Sequence, residues 1–469
     1  GSGGGVYINK NNNNLMWSNG TISQCVSADG NGGGGVYIGE ENNNITLLGV
    51  TVSGCSATYP YGGSSGGGVY MWRNNDHMTW EDVNVHNCSS SGEGQGGGVY
   101  MDQYNNNMEW LNVTISDCFC PEVISADDAG DVTEGGGVYM NDNNNNMLWA
   151  DVTISGCWAG FGGGVSIYDS NNGMQWTGVV IRDCHARGGE FGEGGGGVYI
   201  YNSNSDIVWN DITVSGCSVT GTGNGGGVSV DQNNDNWVIN RLNINNCTAS
   251  SDGGGLYINL NNANMVIANA TFSLCTSGTS GGGMYVVSSN QDMTVSNISM
   301  EGCTATIDGG GIYINTQNNY LEMIATITNC RATNGGCMYL GQSNKYMNIS
   351  GSLSGCVASE DGGGVYIDKY NDGLQSELTV SNCIATGDGG GMYIGSLNDD
   401  VSISGSLTGC DAGANGGGVY AFQSNDLMTI RDLMVSRCEA GSNGGGLFMS
   451  TATGLSINNA QFDSCVSSG

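Results

Sequence analysis

Sixteen times this chain of 469 residues writes the same sentence, opening on a glycine triplet and closing on a cysteine. Gly3-Gly4-Gly5-Val6-Tyr7-Ile8 leads to Cys25, Gly33-Gly34-Gly35-Val36-Tyr37-Ile38 leads to Cys55, and the last copy runs from Gly444-Gly445-Gly446 to Cys465. The third triplet position lies 20 or 19 residues before its cysteine, whereas 7 to 19 residues separate that cysteine from the next third position. A constant core unit with variable length at one corner is what a stack of coils produces, because each coil contacts only its neighbours.

The fourth copy shows how one coil is built. Val99 and Met101 alternate with Tyr100, an Asn-rich stretch follows, and Met108 and Trp110 then alternate with Glu109. Val113 and Ile115 alternate with Thr114 and Ser116 before Cys118. Three short period-2 runs separated by Asn- or Gly-rich corners, with no helical period, predict an all-β parallel β-helix (β-solenoid) of about 16 coils with three short strands each. The repeat predicts a single domain over residues 1–469, roughly 75–80 Å long at one strand spacing per coil, with its longest insertion at 119–134.

Apolar stripes mark the inward positions. Three residues before the cysteine all sixteen copies are hydrophobic, from Ile22 and Val52 to Val435 and Phe462. Met dominates ten residues past the triplet. Two further on, Trp80, Trp110, Trp149, Trp176 and Trp209 give way to Ile239, Ile267, Val295 and Ile349, which predicts a wider core in the N-terminal half. Strand parity places the Trp row with the Met row, so both are read as core rather than as a ligand box.

Seven residues past the triplet, fifteen of sixteen copies carry Asn, which tolerates left-handed backbone and can bond to the Asn above and below. Asp or Asn often precedes the triplet (Asp252, Asp308, Asn334, Asp361, Asp388, Asn415, Asn443). Turn preference accounts for that row; no cofactor is expected, and Ca2+ is the one ion the pattern would admit. Two residues past the triplet stand Tyr7, Tyr37, Tyr70, Tyr100, Tyr139, Tyr199, Tyr257, Tyr285, Tyr313, Tyr339, Tyr366, Tyr393, Tyr420 and Phe448, with Ser166 and Ser229 as exceptions. Both neighbours of each ring are apolar, so the ring is expected to point outward. The row then either stacks on itself or meets a partner, a lateral protein strand or glycan. Outward Thr-x-Ser pairs such as Thr114/Ser116 resemble the hydroxyl rows of ice-binding faces, but His86, Arg182 and Glu301 interrupt them, and strand propensity explains the Thr.

The cysteines fall at one phase: Cys25, Cys55, Cys88, Cys118, Cys157, Cys184, Cys217, Cys247, Cys275, Cys303, Cys330, Cys356, Cys383, Cys410, Cys438 and Cys465. Cys120 and Cys337 are extra, and Cys337 replaces a triplet glycine. Rungs about 4.8 Å apart lie inside the Cα window for disulfides, so bridges between adjacent coils are expected, with a column of buried thiols as the alternative. The cysteine count and eight N-x-Ser/Thr sequons, at Asn19, Asn44, Asn87, Asn112, Asn246, Asn269, Asn297 and Asn348, point to an oxidising secretory route and an extracellular or cell-surface location. A formal net charge of −33 gives nucleic-acid binding no electrostatic support, and no apolar run approaches a membrane span. The chain reads as a mature or trimmed product.

Polysaccharide lyases and glycosidases also use parallel β-helices, and their chemistry needs a convergent carboxylate pair or a base. Acids here are scattered. The richest group is in the insertion (Glu122, Asp127, Asp128, Asp131, Glu134), and it is read as a solvated loop, so no catalytic residue is assigned. The Gly-Gly-Gly-Val-Tyr-Ile openings and Asn-rich corners make the whole chain resemble right-handed β-helix surface proteins, among them the polymorphic outer-membrane proteins and adhesins with Gly-Gly-aliphatic repeats. It departs from them in its Tyr, in its cysteine per coil and in lacking a recurring Phe-x-x-Asn motif. The resemblance implies a surface or extracellular passenger-like fold and transfers no activity.

A structural subunit of an extracellular filament or surface appendage is therefore expected, partnered by itself, head to tail through the β-helix ends. Cys465 and the following triplet, taken across two copies, would keep the internal spacing. A carbohydrate-binding adhesin using the Tyr row is the alternative, and a polysaccharide-active enzyme comes third.

Overall fold

The computed structural model describes residues 3–28, 32–58, 66–91, 94–121, 133–189 and 194–469. No helix occurs among them; the chain is a three-sided parallel β-solenoid of about sixteen turns. The coils fall into two compact units, Gly1–Ser250 and Ser251–Gly469. Coils are numbered by their order in the chain, and within each unit neighbouring coils pair in parallel.

In the first unit Val69, Tyr70 and Met71 pair with Val99, Tyr100 and Met101, so like sits on like. In the second, Ile312, Tyr313 and Ile314 pair with Met338, Tyr339 and Leu340 in the same way. This opening strand is the first side. The second side holds both remaining predicted runs: Thr79–Glu81 and Asn84–His86 lie in one sheet, separated by Asp82 at φ 54°. In other coils the two fuse, as in Val208–Ser215 and Glu322–Thr328. The third side is a short strand after the cysteine, such as Ser56–Thr58 or Arg331–Ala332, which turns a small residue inward. Ala57, Ala159 and Ala385 are buried there.

The change from 20 to 19 residues between triplet and cysteine has a definite place. Where coil 10 meets coil 11 the pairing slips between Val295 and Ile298, and eight-residue Thr294–Glu301 faces seven-residue Glu322–Thr328. The reverse slip falls between Ile403 and Gly405, where coil 14 meets coil 15. One residue gained or lost on the long side is absorbed as a bulge, and the stripes on either side keep their faces.

The triplet exists because two of its positions have no room and one needs a left-handed backbone. In coil 4, Gly96 has φ 66°, which an L side chain adopts only with strain. A Cβ on Gly98 would come within 2.6 Å of Gly137 O and 2.9 Å of Ile115 Cγ2. The Asn corner is equally specific. Residues flanking the buried Asn105, Tyr104 and Asn107, have φ 59° and 55°. The Asn105 backbone N–H donates to Asn144 Oδ1 at 3.0 Å, and Asn105 Nδ2 donates to the same oxygen and to Trp72 O. The same ladder runs through the second unit from Asn290 to Asn318, Asn344 and Asn371.

The core is apolar and stacked. Ile115, Met108 and Trp110 are fully buried, and each such side chain contributes about 1.5–3 kcal/mol by leaving water. Trp80, Trp110, Trp149, Trp176 and Trp209 stack at 4.5–4.9 Å between ring centroids, with interplanar angles of 2–9°. The column ends at Trp237, which occupies the Met position, tilts 53° against Trp209 and donates its indole N–H to Asn204 O at 2.7 Å. The five stacked indoles have no hydrogen-bond acceptor for their buried N–H groups.

Candidate functional site

The aromatic row departs from its expected exposure. Its rings point away from the core, yet they are not bare: Tyr70, Tyr100, Tyr139 and Tyr199 are at most 3% exposed, while Tyr7 is 51% exposed. Two effects cover them. Each ring stacks on its neighbours, from Tyr7 through Tyr37, Tyr70 and Tyr100 to Tyr139 at 4.9–5.5 Å. In the second unit Tyr257, Tyr285, Tyr313, Tyr339, Tyr366, Tyr393, Tyr420 and Phe448 stack at 4.5–5.6 Å. The turn that precedes the triplet also reaches the row, as where the Phe161 ring lies 5.5 Å from that of Tyr199 between centroids. Alternation along a strand gives direction and leaves exposure open. A second layer of chain decides it.

Burial pushes the Tyr37 and Tyr393 phenols up to about 12, so these hydroxyls stay protonated and act as donors. Tyr100 donates to Asp102 Oδ1 and Tyr139 to Asn141 Oδ1, two residues along the chain. Inside a stack both faces of a ring are taken by neighbouring rings, and a sugar would meet only edges and hydroxyls.

The cysteines form a second column on the core side. The one disulfide among the described residues joins Cys337 to Cys356 within coil 12, with a Cα–Cα distance of 5.4 Å. Cys25, Cys55, Cys88, Cys118, Cys157, Cys184, Cys217, Cys247, Cys275, Cys303, Cys330, Cys383, Cys410, Cys438 and Cys465 stand as thiols, as does Cys120. In-register rungs hold Cβ atoms near the strand spacing of about 4.8 Å, beyond the 3.5–4.5 Å a disulfide prefers. The thiols have another use: Cys118 donates to Ser116 O at 3.2 Å, Cys184 to Arg182 O and Cys383 to Ser381 O. Carbonyl acceptors favour S–H over thiolate, and burial pushes Cys383 up to about 11.

Cys337 explains itself through the glycines it replaces. In coil 4 the missing Cβ of the third glycine would sit 3.2 Å from Cys118 Sγ, and in coil 9 that of Gly255 would sit 3.3 Å from Cys275 Sγ. A cysteine at that position meets the column cysteine of its own coil and bonds to it. Closing the loop of 19 residues stabilises the coil by about 3 kcal/mol in the chain-entropy picture.

Of the insertion acids, Glu122, Asp127, Asp128 and Asp131 lie outside the described residues, while Glu134 is not solvated. It is 8% exposed and accepts a hydrogen bond from Ser166 Oγ at 2.7 Å. Burial pushes its carboxyl up to about 7. The sequence signal was Ser166 itself: a serine in the tyrosine row leaves a gap that another side chain fills.

The Asp and Asn residues before the triplets bond from coil to coil. Asp388 N donates to Asp361 Oδ1 at 2.7 Å, and Asn415 N donates to Asp388 Oδ1 at 2.8 Å. Burial raises the carboxyls of Asp308 and Asp361, and the ladder engages Oδ1 of Asp308, Asp361 and Asp388.

All eight sequon asparagines are exposed. Asn19, Asn112, Asn269 and Asn297 share the corner of the long side, with φ 51–55°, and Asn297 Nδ2 donates to Asn269 Oδ1. Asn87 and Asn246 precede column cysteines, Asn44 lies at the Asn corner, and Asn348 opens the strand Asn348–Ser354. No protein-family model matches this chain, and no curated protein matches it.

Proposed function

We propose that the protein is a structural subunit of an extracellular filament or surface appendage that grows by adding coils of a second copy to its own. The observation that carries this reading is the self-complementarity of the coil surface. On many described rungs like meets like, as where Tyr70 pairs with Tyr100, Asn105 bonds to Asn144 and Trp110 stacks on Trp149, so a coil recognises another coil by the residues they share. Such a contact is heterologous and does not close on itself, which makes a fibre rather than a ring. The exposed sequon asparagines and the Cys337–Cys356 bridge support an extracellular setting. The loose likeness to β-helix surface proteins supports the same setting, with no catalytic step.

Negative-stain micrographs and sedimentation of the purified 469-residue chain, across a concentration series, test this. Rods longer than one molecule should appear as concentration rises. Phe462→Lys, which places a charge on a half-exposed apolar position of the last coil, should prevent them. A chain that stays monomeric at the highest attainable concentration sinks the proposal.

A further inference from the structure

The sulfur atoms of Cys337, Cys356 and Cys383 lie within 4.8 Å of one another, and all three residues are fully buried. Two of them are already joined and the third stands as a thiol, so the cluster holds a disulfide and a nucleophile side by side. Cys383 is the column neighbour of Cys356 one rung on, with the intervening backbone held by the bond from Ile384 N to Cys356 O at 2.9 Å.

We propose that this cluster is an intramolecular thiol–disulfide exchange site, in which Cys383 takes over Cys356 and releases Cys337. Cys383 Sγ, as thiolate, attacks Cys356 Sγ. The Cys356–Cys383 bond forms, the Cys337–Cys356 bond breaks, and the proton lost by Cys383 ends on Cys337. Cys383 is oxidised and Cys337 reduced, so the step needs no outside oxidant. Attack falls on Cys356 rather than Cys337 because Cys356 and Cys383 hold the same position on adjacent rungs of one column, whereas Cys337 stands just before the opening strand of coil 12, outside that column.

The two positions of the bridge do different mechanical work. Between Cys337 and Cys356 it braces one coil and bears no load along the stack. Between Cys356 and Cys383 it staples coil 12 to coil 13. One rung of about 4.8 Å is within the Cα range of a disulfide, but the Cβ atoms must draw together, so the staple is the minor form at rest. The inference does not depend on polymerisation.

The folded chain is held at pH 9 without reductant, quenched and denatured in acid, alkylated with a maleimide at mildly acidic pH, and mapped as peptides. Exchange places Cys337 in the alkylated pool, matched by a Cys356–Cys383 cross-linked peptide, and Cys383→Ser removes both to background. Cys383→Ala, which keeps a small apolar group in the core, should give the same loss. Cys337→Gly restores the residue of the other coils and should leave Cys356 and Cys383 both alkylated. If Cys383 is fully alkylated and Cys337 never is, the site does not exchange. A Cys337–Cys383 peptide with Cys356 alkylated overturns the stated direction.

Discussion

Ser166 Oγ donates a 2.7 Å hydrogen bond to Glu134 Oε2 at a rung where the coils on either side carry Tyr139 and Tyr199. A carboxyl from the turn before the triplet thus enters the space a phenol would have filled. Burial raises its pKa from 4.5 to about 7, with no cation to offset the charge. A raised acid pKa means that the folded state holds the proton more tightly than the unfolded one. Stability is then fully present below pH 4.5, is lost as pH rises to about 7, and is level above that. At 1.36 kcal/mol per unit the loss is about 3 kcal/mol. Denaturant melts of the wild type minus those of Glu134→Gln, taken from pH 4 to pH 8, should show that slope. A difference that is flat in pH would mean that Glu134 reaches water.

The asparagine ladder should be sensitive at any single rung. Asn318 N donates to Asn344 Oδ1 at 2.8 Å, and Asn344 Nδ2 donates to Asn315 O at 2.7 Å. Asn344→Ala removes one acceptor and one donor from buried partners. At about 1–3 kcal/mol for a buried group left unmade, a loss of about 2–4 kcal/mol is expected. Faster hydrogen exchange at the Asn318 amide would locate the damage at that corner.

The periodicity made the coil legible: the corners, the inward stripes and the asparagine ladder follow from spacing and residue type. Three things did not follow, each for a physical reason. The tyrosines were expected to be exposed because alternation describes one strand and not the chain that folds over it. Cys337 had no visible partner in the spacing, because the contact between the third triplet position and the column cysteine of the same coil runs across the core and not along the chain. The short third side escaped notice because two or three residues with one inward alanine carry little pattern.

The indole column separates stacking from hydrogen bonding. Trp149 stacks at 4.7 and 4.5 Å on its two neighbours and buries an N–H with no acceptor. Trp149→Phe keeps an aromatic ring and removes the unmet donor, whose burial costs about 1–3 kcal/mol. The gain offsets much of the lost area, and a net change within about 1.5 kcal/mol is expected, against about 3–5 kcal/mol for Trp149→Ala. Urea melts of both variants check the contrast. Equal losses would mean that the N–H is satisfied in solution.

The tyrosine column can be assigned to packing or to partners by one substitution. Tyr339 stacks on Tyr313 at 4.8 Å and on Tyr366 at 4.7 Å. Tyr339→Ser breaks both stacks, each worth about 0.5–1.5 kcal/mol beyond the buried area, for a total of about 2–4 kcal/mol. Serine is accommodated at position 166 because Glu134 fills the gap, whereas coil 12 has only Thr333 and Asn334 before its triplet. Tyr339→Phe keeps the ring and should cost less than about 1 kcal/mol. The informative comparison is stability against assembly, measured on the same samples by urea melts and sedimentation. If Tyr339→Ser melts early and association falls only in step with that loss, the column holds coils together. If stability is unchanged and association still drops, the ring edges of the row bind the partner.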